Sequence, residues 1–148
     1  MTTEEYLSML CEEFRSVVVA TVDEDGLPVT AGIDIMMSDE NSAYFLTGRK
    51  TGFYRRLRAR GALSLTGMKG PDPLHTVTLT VRGKVRELGP ELLPLLFEKN
   101  LFMQKLYPTE ESRSGLTVFQ IFEGTGEYVD LSRRPFFKER FRFGPAEE

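Results

Sequence analysis

The sequence predicts a mainly β fold with flanking helices, in which an antiparallel sheet closes wholly or partly into a barrel. About six segments have strand character, short turns join several of them in antiparallel order, and no strand–helix–strand units recur at regular spacing. With 148 residues and neither a repeat nor a linker, the chain is predicted to form one domain. That domain divides into an N-terminal helix (1–15), a barrel with helices (16–131) and a C-terminal tail (132–148).

The first half of the chain is predicted to contain a helix, three strands and a second helix. Residues 3–14 carry apolar side chains at helical spacing. Strands at 17–22, 27–36 and 43–47 are separated by polar turns, which predicts a three-strand antiparallel meander. The helix predicted at 51–60 has apolar residues at helical spacing and ends at a glycine.

The second half adds three strands, a longer helix and a basic tail. A short strand at 62–66 precedes a loop rich in glycine and proline, and the strand at 75–87 alternates apolar and polar side chains with a two-residue period. Residues 90–106 are predicted to be helical, with Pro94 as a point of interruption. A last strand covers 116–131, and the tail beyond it alternates arginine with phenylalanine.

Composition and charge exclude several classes of protein. The apolar share of 41% and the charged share of 28% are typical of a globular protein. No run of 18 apolar residues exists, and the N-terminus lacks the basic start of a secretory signal, so we expect a cytoplasmic location and no membrane partner. The net charge of −3 argues against a nucleic-acid partner. Cys11, the single cysteine, is interpreted as a small buried hydrophobe in the first helix, and no metal site is expected.

The segment from Thr47 to Arg56 has the chemistry of an anion site. A predicted strand ends there, a turn with two glycines follows, and a helix begins. Glycines let the backbone approach a ligand, and the free N–H groups of a helix N-terminus attract an anion. Thr47 and Thr51 add hydroxyl groups, while Arg49 and Lys50 add positive charge, which is what a terminal phosphate requires. The spacing does not match a P-loop.

The charge pattern around this turn strengthens the prediction. No aspartate or glutamate occurs between Glu40 and Asp72, an interval that holds seven cations: Arg49, Lys50, Arg55, Arg56, Arg58, Arg60 and Lys69. A solvated helix face usually mixes charges of both signs. We therefore expect some of these seven cations to bind an anion. Most of the four helix arginines are expected to be solvated or to pair with distant acids.

Several short segments, in this order, resemble the pyridoxamine phosphate oxidase-like FMN-binding split-barrel superfamily. The segments are Val18–Val22, Asp25–Pro28, Tyr44–Thr47 with its basic turn, Phe53–Leu57, Ala62–Gly67, Val81–Val85 and Phe119–Gly124. The resemblance spans residues 14–131. It implies a six-stranded antiparallel split β-barrel that forms a homodimer, with two FMN molecules bound in clefts between the subunits.

The resemblance also implies which residues hold the cofactor. The FMN phosphate would be held by the turn residues Thr47, Gly48, Arg49, Lys50 and Thr51. The isoalloxazine ring would lie beside Thr30, Ala31 and Gly32, and the same cleft would be lined by Thr66, Gly67, Met68 and Lys69. Members often carry a lysine where this chain has Phe53, so the charge must come from Arg49 or Lys50. The C-terminus lacks the arginine–leucine–x–proline segment of true pyridoxamine phosphate oxidases, which argues against vitamin B6 oxidation.

Several functions stay open at this point. The first is an FMN-dependent oxidoreductase that acts on a small organic substrate or uses NAD(P)H, with the chemistry supplied by the flavin. The second is a flavin-binding protein without enzymatic activity. A deazaflavin or a haem, the latter with the single histidine His75 as ligand, would also suit a split barrel. The arginine–phenylalanine tail is interpreted as packing against a partner subunit rather than as a nucleic-acid surface. The segment Leu92–Tyr107 is predicted to be core rather than a cover over the cleft.

Overall fold

The structure, a computed structural model, describes residues 1–145. The strands are β1 (Ser16–Val22), β2 (Pro28–Asp34), β3 (Met37–Ser38), β4 (Ala43–Gly48), β5 (Ala62–Lys69), β6 (Val77–Gly89), β7 (Leu116–Asp130) and β8 (Phe137–Phe143). The helices are α1 (Thr3–Met9), α2 (Gly52–Arg60), α3 (Leu93–Lys99), α4 (Met103–Leu106) and α5 (Glu110–Arg113), with a π-helical turn at Leu10–Phe14 and a 3-10 turn at Pro73–His75.

All strand pairs in the described part of the chain are antiparallel, in the order β2-β1-β5-β6-β7-β4-β3. The long strand β7 organises the sheet. It pairs with β6 along one edge, and its other edge is shared, first by β4 and then by β8. The curled antiparallel sheet forms a half-barrel, which confirms the predicted mainly β split-barrel class. No helix among residues 1–145 has the length and apolar character needed to cross a membrane.

The core has two parts, one on each side of β4. The larger part lies inside the curl of the sheet and is closed by α1 and α2, with Phe45, Leu79 and Ile121 fully buried. The smaller part lies under α3 and α4, where Leu96 and Met103 are buried. Core packing of the segment 92–107, as predicted from the sequence, is therefore confirmed for one face of the segment, whereas Leu95, Leu101 and Leu106 are exposed.

The single helix predicted at 90–106 is wrong in detail, because the helix ends at Lys99 and a second one begins at Met103. Asn100 causes the break. Its backbone leaves the helical region, and its buried side-chain amide donates hydrogen bonds to the carbonyl oxygens of Leu96 at 2.8 Å and Met36 at 2.9 Å. Capping of this kind satisfies a carbonyl group that the continuing helix would otherwise use.

The tail is a strand of the sheet over half of its described length. Strand β8 pairs with the second half of β7 and directs its phenylalanines inward and its basic residues outward. Phe141 stacks on Tyr6 with ring centroids 4.7 Å apart, and Phe143 is buried. The interpretation that these aromatic residues pack against a partner subunit is therefore wrong for Phe141 and Phe143, which pack within their own chain. Residues 146–148 of the predicted tail lie outside the described residues.

Candidate functional site

The basic turn lies between the end of β4 and the start of α2, as the sequence predicts. Thr51 is the N-cap of α2: its hydroxyl accepts a hydrogen bond from the Tyr54 N–H at 3.0 Å and donates one to the Gly48 carbonyl oxygen at 3.0 Å. The first N–H groups of an α-helix have no carbonyl partner within the helix. The cap on Thr51 satisfies one of them and leaves those of Gly52 and Phe53 available to an anion.

Thr47 and Arg49 have structural roles in this turn. Thr47 is 9% exposed and faces Thr117 on the neighbouring strand β7. Arg49 is tied to the loop before β7 twice, because its N–H donates to the Gly115 carbonyl at 2.8 Å and its guanidinium donates to the Ser114 carbonyl at 2.5 Å. Arg49 therefore fixes the turn, and its guanidinium is only partly free to meet a ligand.

The seven cations of the acid-free segment separate into bonded and free groups. Five have partners: Arg58 pairs with Glu87, Lys69 with Glu13, and Arg49, Arg56 and Arg60 donate to oxygen atoms of Ser114, Thr21 and Asp23. Within residues 1–145, the side chains of Lys50 and Arg55 form neither a hydrogen bond nor an ion pair, and both residues are exposed. Among the described residues, Arg58 and Lys69 are the two of the seven that pair with an acid, so the other five keep unbalanced positive charge. Of those five, Lys50 and Arg55 are the two whose side chains are also free of hydrogen bonds.

Because Gly52 has no side chain, two guanidinium groups can lie over the first turn of α2. A Cβ atom at this position would lie 2.9 Å from Nη1 of Arg56 and 3.6 Å from Nη2 of Arg55. The Arg56 side chain is also fixed to β1, since its Nε donates to the Thr21 hydroxyl at 2.8 Å. The helix N-terminus, the free Lys50 and these guanidinium groups form a cationic surface, which we call the α2 anion site.

Glu87 at the end of β6 holds α2 in place, a role that the sequence reasoning did not identify. Its carboxylate accepts hydrogen bonds from Arg58 at 2.6 Å, from the Thr117 hydroxyl at 2.7 Å and from the Tyr54 hydroxyl at 2.9 Å. Burial acts to raise the pKa of Glu87, but the three donors outweigh it and lower that pKa below its ordinary value. The donors lie 29 to 33 residues away in sequence, so no local pattern could have revealed them.

A second group of predicted site residues lies on the outer face of the sheet. Thr30 and Gly32 of β2 face outward, whereas Ala31 packs against the core. Across the strands, Gly32 is the partner of Val18 and Val18 is the partner of Thr66. Val18 is 57% exposed, and a Cβ on Gly32 would meet nothing within 4 Å. This face, which we call the β2–β5 face, is therefore flat, open and partly apolar.

The predicted stretch 66–69 divides between the two sides of β5. Thr66 and Met68 lie on the β2–β5 face, and Met68 is 71% exposed. Gly67 points the other way, because a Cβ there would lie 2.8 Å from the ring of Phe14. Lys69 pairs with Glu13 at 2.7 Å. The small size of Gly67 is thus explained by core packing and not by a ligand.

The two groups of predicted residues are separate within one chain. The turn follows β4, which is five strands away from β2 in the order of the sheet. Helix α2 spans part of the distance, since Arg60 near its end donates to the Asp23 carbonyl in the turn between β1 and β2. The predicted phosphate residues and the predicted ring residues therefore lie on different parts of the sheet in a single chain.

The remaining candidate residues have local structural roles. His75 is exposed and its Nδ1 lies 2.8 Å from a carboxylate oxygen of Asp72, just before β6. This position agrees with a histidine at a strand end. Cys11 is buried, its thiol donates a weak hydrogen bond to the Ile35 carbonyl at 3.5 Å, and burial raises its pKa. The interpretation of Cys11 as a small buried hydrophobe is confirmed.

Comparison with protein families gives one match that covers most of the chain. The model of the pyridoxamine 5'-phosphate oxidase family matches residues 2–130. No curated protein sequence matches the chain. The family assignment therefore depends on the family model.

Three solved structures are similar to the fold described here. A NimC/NimA family protein from Clostridium acetobutylicum has a TM-score of 0.77 at 16% identity, covering 94% of this chain and 90% of that one. A haem-binding protein from Mycobacterium smegmatis has a TM-score of 0.71 at 14% identity, covering 94% of this chain and 58% of that one. A protein related to general stress protein 26, also from C. acetobutylicum, has a TM-score of 0.71 at 19% identity, covering 94% and 95%. At these identities the similarity establishes the fold alone.

Proposed function

Because the chain belongs to the pyridoxamine 5'-phosphate oxidase family, we propose that it is an FMN-binding flavoprotein whose cofactor phosphate lies at the α2 anion site. The observation that carries the proposal is that the exposed side chains of Lys50 and Arg55, beside the N-terminus of α2, have no hydrogen-bond or ion-pair partner among the described residues. A dianionic phosphate would stabilise these two positive charges more than a monoanion would. It would also accept hydrogen bonds from the free N–H groups of the helix. The family usually binds flavin, which supports this choice of ligand.

The isoalloxazine ring of the proposed FMN lies on the β2–β5 face. Gly32 leaves that face flat, and Val18 and Met68 provide exposed apolar surface for a planar ring. Thr30 and Thr66 add hydroxyl groups at its margin. The fit of a flat, partly apolar ligand to a flat, partly apolar surface supports the proposal.

A second copy of the chain completes this site. The α2 anion site and the β2–β5 face are built on different strands of the sheet, and we place the cofactor cleft between two subunits of a homodimer, where one subunit would supply each part. Family members are commonly dimeric, which agrees with this arrangement. Light scattering coupled to size exclusion is expected to give twice the chain mass of 16.8 kDa. A monomer that binds FMN at full affinity would contradict the shared cleft.

The proposed activity is that of an oxidoreductase acting on a small organic substrate or on NAD(P)H. Bound FMN would supply hydride transfer at its ring, and the protein would supply binding, orientation and electrostatics. Oxidation of NADH and NADPH with added acceptors separates this activity from a flavin-binding role without catalysis. Turnover that needs both FMN and an acceptor supports the enzyme, whereas tight binding without turnover supports the binding protein.

The deciding experiment compares FMN with riboflavin, which lacks the phosphate. The flavin-free protein is titrated by fluorescence quenching, as wild type and as the double variant Lys50→Gln/Arg55→Gln. Since a hydrogen bond to a charged group contributes about 1.5–3 kcal/mol, the double variant is expected to bind FMN at least tenfold more weakly and riboflavin equally well. Lys99→Gln/Lys105→Gln is the matched control, because it removes the same charge elsewhere. Equal losses for both flavins, or in both variants, would refute the phosphate assignment.

Haem is the second candidate, and His75 is the observation that favours it. An Asp72 carboxylate holds Nδ1 of His75 and leaves Nε2 free, an arrangement common for histidines that bind metals. A haem-binding neighbour shares the fold. FMN is preferred because its phosphate would use the helix N–H groups and the cations of the α2 anion site together, whereas the support for haem is one exposed histidine. A Soret band that shifts on adding haemin to wild type and stays unshifted in His75→Ala would favour haem instead.

A further inference from the structure

A polar cavity of about 410 Å³ lies between the N-terminal helix, residues 36–39 and the end of α3, and we call it the α1–α3 cavity. Its volume falls in the range of small-molecule sites. Its charged lining consists of two cations and three acids: Arg15, Lys99, Glu4, Glu12 and Asp39. The cavity shares no residue with the α2 anion site or with the β2–β5 face.

Two departures from regular backbone geometry place Arg15 at this cavity. Helix α1 continues into the π-helical turn Leu10–Phe14, a form that is frequent at functional sites. Arg15 follows this turn with a φ of 56°, and among residues 1–145 it is the one non-glycine residue with a positive φ. Its backbone is held there because its N–H donates to the Leu10 carbonyl at 3.0 Å and its carbonyl accepts from the Ile35 N–H at 2.8 Å. Strained residues of this kind are concentrated at functional sites, where the surrounding structure fixes them.

The left-handed conformation separates Arg15 from the acid nearest to it in sequence. Side chains three residues apart on a helix are neighbours, and opposite charges at that spacing usually pair. Arg15 nevertheless forms no ion pair with Glu12 or with another acid among the described residues. Its guanidinium lies 5.7 Å from the centre of the Phe102 ring, and its Nη1 donates to Oδ1 of the buried Asn100 at 3.5 Å. The positive charge therefore lies at the α3 end of the cavity, whereas Glu4 and Glu12 belong to the helical segment on its other side.

Other polar groups of the lining also lack a protein partner. Within residues 1–145, the side chains of Lys99, Glu4 and Glu12 form no ion pair, and the hydroxyl groups of Ser8 and Ser38 form no hydrogen bond. Asp39 differs, because its carboxylate accepts from the Asn41 N–H at 3.0 Å and from the Tyr44 hydroxyl. Charges of both signs thus line one cavity without pairing with each other. A simple anion would be repelled by the acids and a simple cation by the bases, whereas a molecule with both charges would be attracted at both ends.

We propose that the α1–α3 cavity binds a small zwitterion of the α-amino acid type, with its carboxylate on the guanidinium of Arg15 and its ammonium group facing Glu4 and Glu12. A guanidinium matches a carboxylate with two parallel hydrogen bonds. Oδ1 of Asn100 accepts one hydrogen bond from Arg15 and has a second lone pair for a ligand N–H group. Neither the proposal nor its test depends on flavin binding, because the two sites have no residue in common.

The test is isothermal titration of the full chain at low ionic strength with three probes: L-serine, L-glutamine and L-leucine. The amino acid with the highest affinity is then compared with the acid that lacks its amino group and with the amine that lacks its carboxylate. Because both charged ends contribute, the amino acid is expected to bind at least about fivefold more tightly than either analogue.

Two variants assign the two ends of the ligand. Arg15→Gln should weaken binding of the amino acid and of the acid analogue by at least about tenfold and leave the amine unaffected. Arg15→Lys keeps the charge but loses the fork and should fall between wild type and Arg15→Gln. Glu4→Gln/Glu12→Gln should weaken the amino acid and the amine by about fivefold and leave the acid analogue no weaker, since both carboxylates are exposed. The charge-matched controls, which lie outside the lining and should stay within twofold of wild type, are Lys105→Gln and Glu98→Gln/Glu111→Gln.

Four results would overturn the proposal. They are no binding of the three amino acids at millimolar concentration, equal affinity for the amino acid and one of its analogues, equal losses in the control variants, and loss of binding in Lys50→Gln/Arg55→Gln but not in Arg15→Gln. The second result makes the cavity a site for a simple anion or cation, and the fourth assigns the amino acid to the α2 anion site. Urea denaturation shows whether Arg15→Gln stays folded without its bond to Asn100. The glutamate variant leaves that bond intact, so it tests the ammonium end whatever the outcome for Arg15→Gln.

Discussion

Replacement of Glu87 tests how α2, and with it the anion site, is held on the sheet. The Glu87 side chain is 15% exposed, and its carboxylate receives donors from two turns of α2 and from β7. Glu87→Ala removes all three bonds. Glu87→Gln keeps the shape of the side chain, and its amide can still accept from Tyr54 and Arg58 while it donates to the Thr117 hydroxyl. The two variants therefore separate loss of bonding from loss of charge.

The magnitudes follow from burial of the three donors. Thr117 is fully buried, so its hydroxyl is left unsatisfied in Glu87→Ala at a cost of about 1–3 kcal/mol. Arg58 is 60% exposed and exchanges its bond for water, so the ion pair contributes at most about 1 kcal/mol. Including Tyr54, we expect the free energy of unfolding to fall by about 3 kcal/mol in Glu87→Ala and by about 1 kcal/mol in Glu87→Gln.

Urea denaturation at pH 7 measures both values, and FMN titration of the same variants measures the effect on the site. The alanine variant should also bind FMN more weakly, because α2 is no longer fixed. Equal losses of stability in the two variants would refute the role assigned to the three hydrogen bonds. So would a loss below about 1 kcal/mol in Glu87→Ala, since the buried hydroxyl alone should exceed that value.

The dependence on pH gives an independent check of Glu87. Its pKa is lowered in the folded protein, so the unfolded chain binds the proton first. The stabilisation by the carboxylate is complete above the unfolded pKa of about 4.3 and is lost as the pH falls below that value toward the folded pKa. The difference in stability between wild type and Glu87→Gln should therefore shrink as the pH falls below about 4.3.

Three further predictions concern the turn, the sheet and the cysteine. Thr51→Ala removes the N-cap of α2 and should cost about 1 kcal/mol in urea denaturation, whereas Thr51→Ser should cost little; equal losses would contradict the cap. Gly67→Ala forces a Cβ to within 2.8 Å of the Phe14 ring and should destabilise by about 1–3 kcal/mol, and the added change Phe14→Leu should recover part of the loss. Cys11 is buried and its pKa is raised, so thiol reagents at pH 8 should label it only on unfolding; rapid labelling of the native protein would contradict its burial.

Features that depend on neighbouring residues were predictable from the sequence. The polar turns, the alternation along β6 and the glycine that ends α2 are set by backbone geometry over a few residues, and the structure has them where the pattern indicates. Gly61 is an example, because it ends the helix with a φ of 63° that most residues avoid. The position of the basic turn at the start of α2 belongs to the same class.

Features that depend on distant partners were not predictable. Glu87 accepts a hydrogen bond from Tyr54, which is 33 residues away in sequence. Asn100 ends a helix and donates a hydrogen bond to Met36, which is 64 residues away. The tail forms β8 because the second half of β7 has a free edge, which only the assembled sheet reveals. Gly67 illustrates a different limit: the sequence shows a glycine there, but both a ligand and the Phe14 ring would account for its small size.

The geometry of the sheet gives a physical reason for placing a cofactor between two copies. The curled sheet has its larger core on the inner side, and its outer side over β2, β1 and β5 carries exposed side chains, so a flat ligand there would be covered on one face only. Small-molecule sites enclose most of the ligand surface. Val18 and Met68 would also be stabilised by a cover, because these apolar side chains are 57% and 71% exposed on that face in the single chain. A second protomer that brings its α2 anion site over this face would enclose the ring, supply the phosphate contacts and remove both side chains from water.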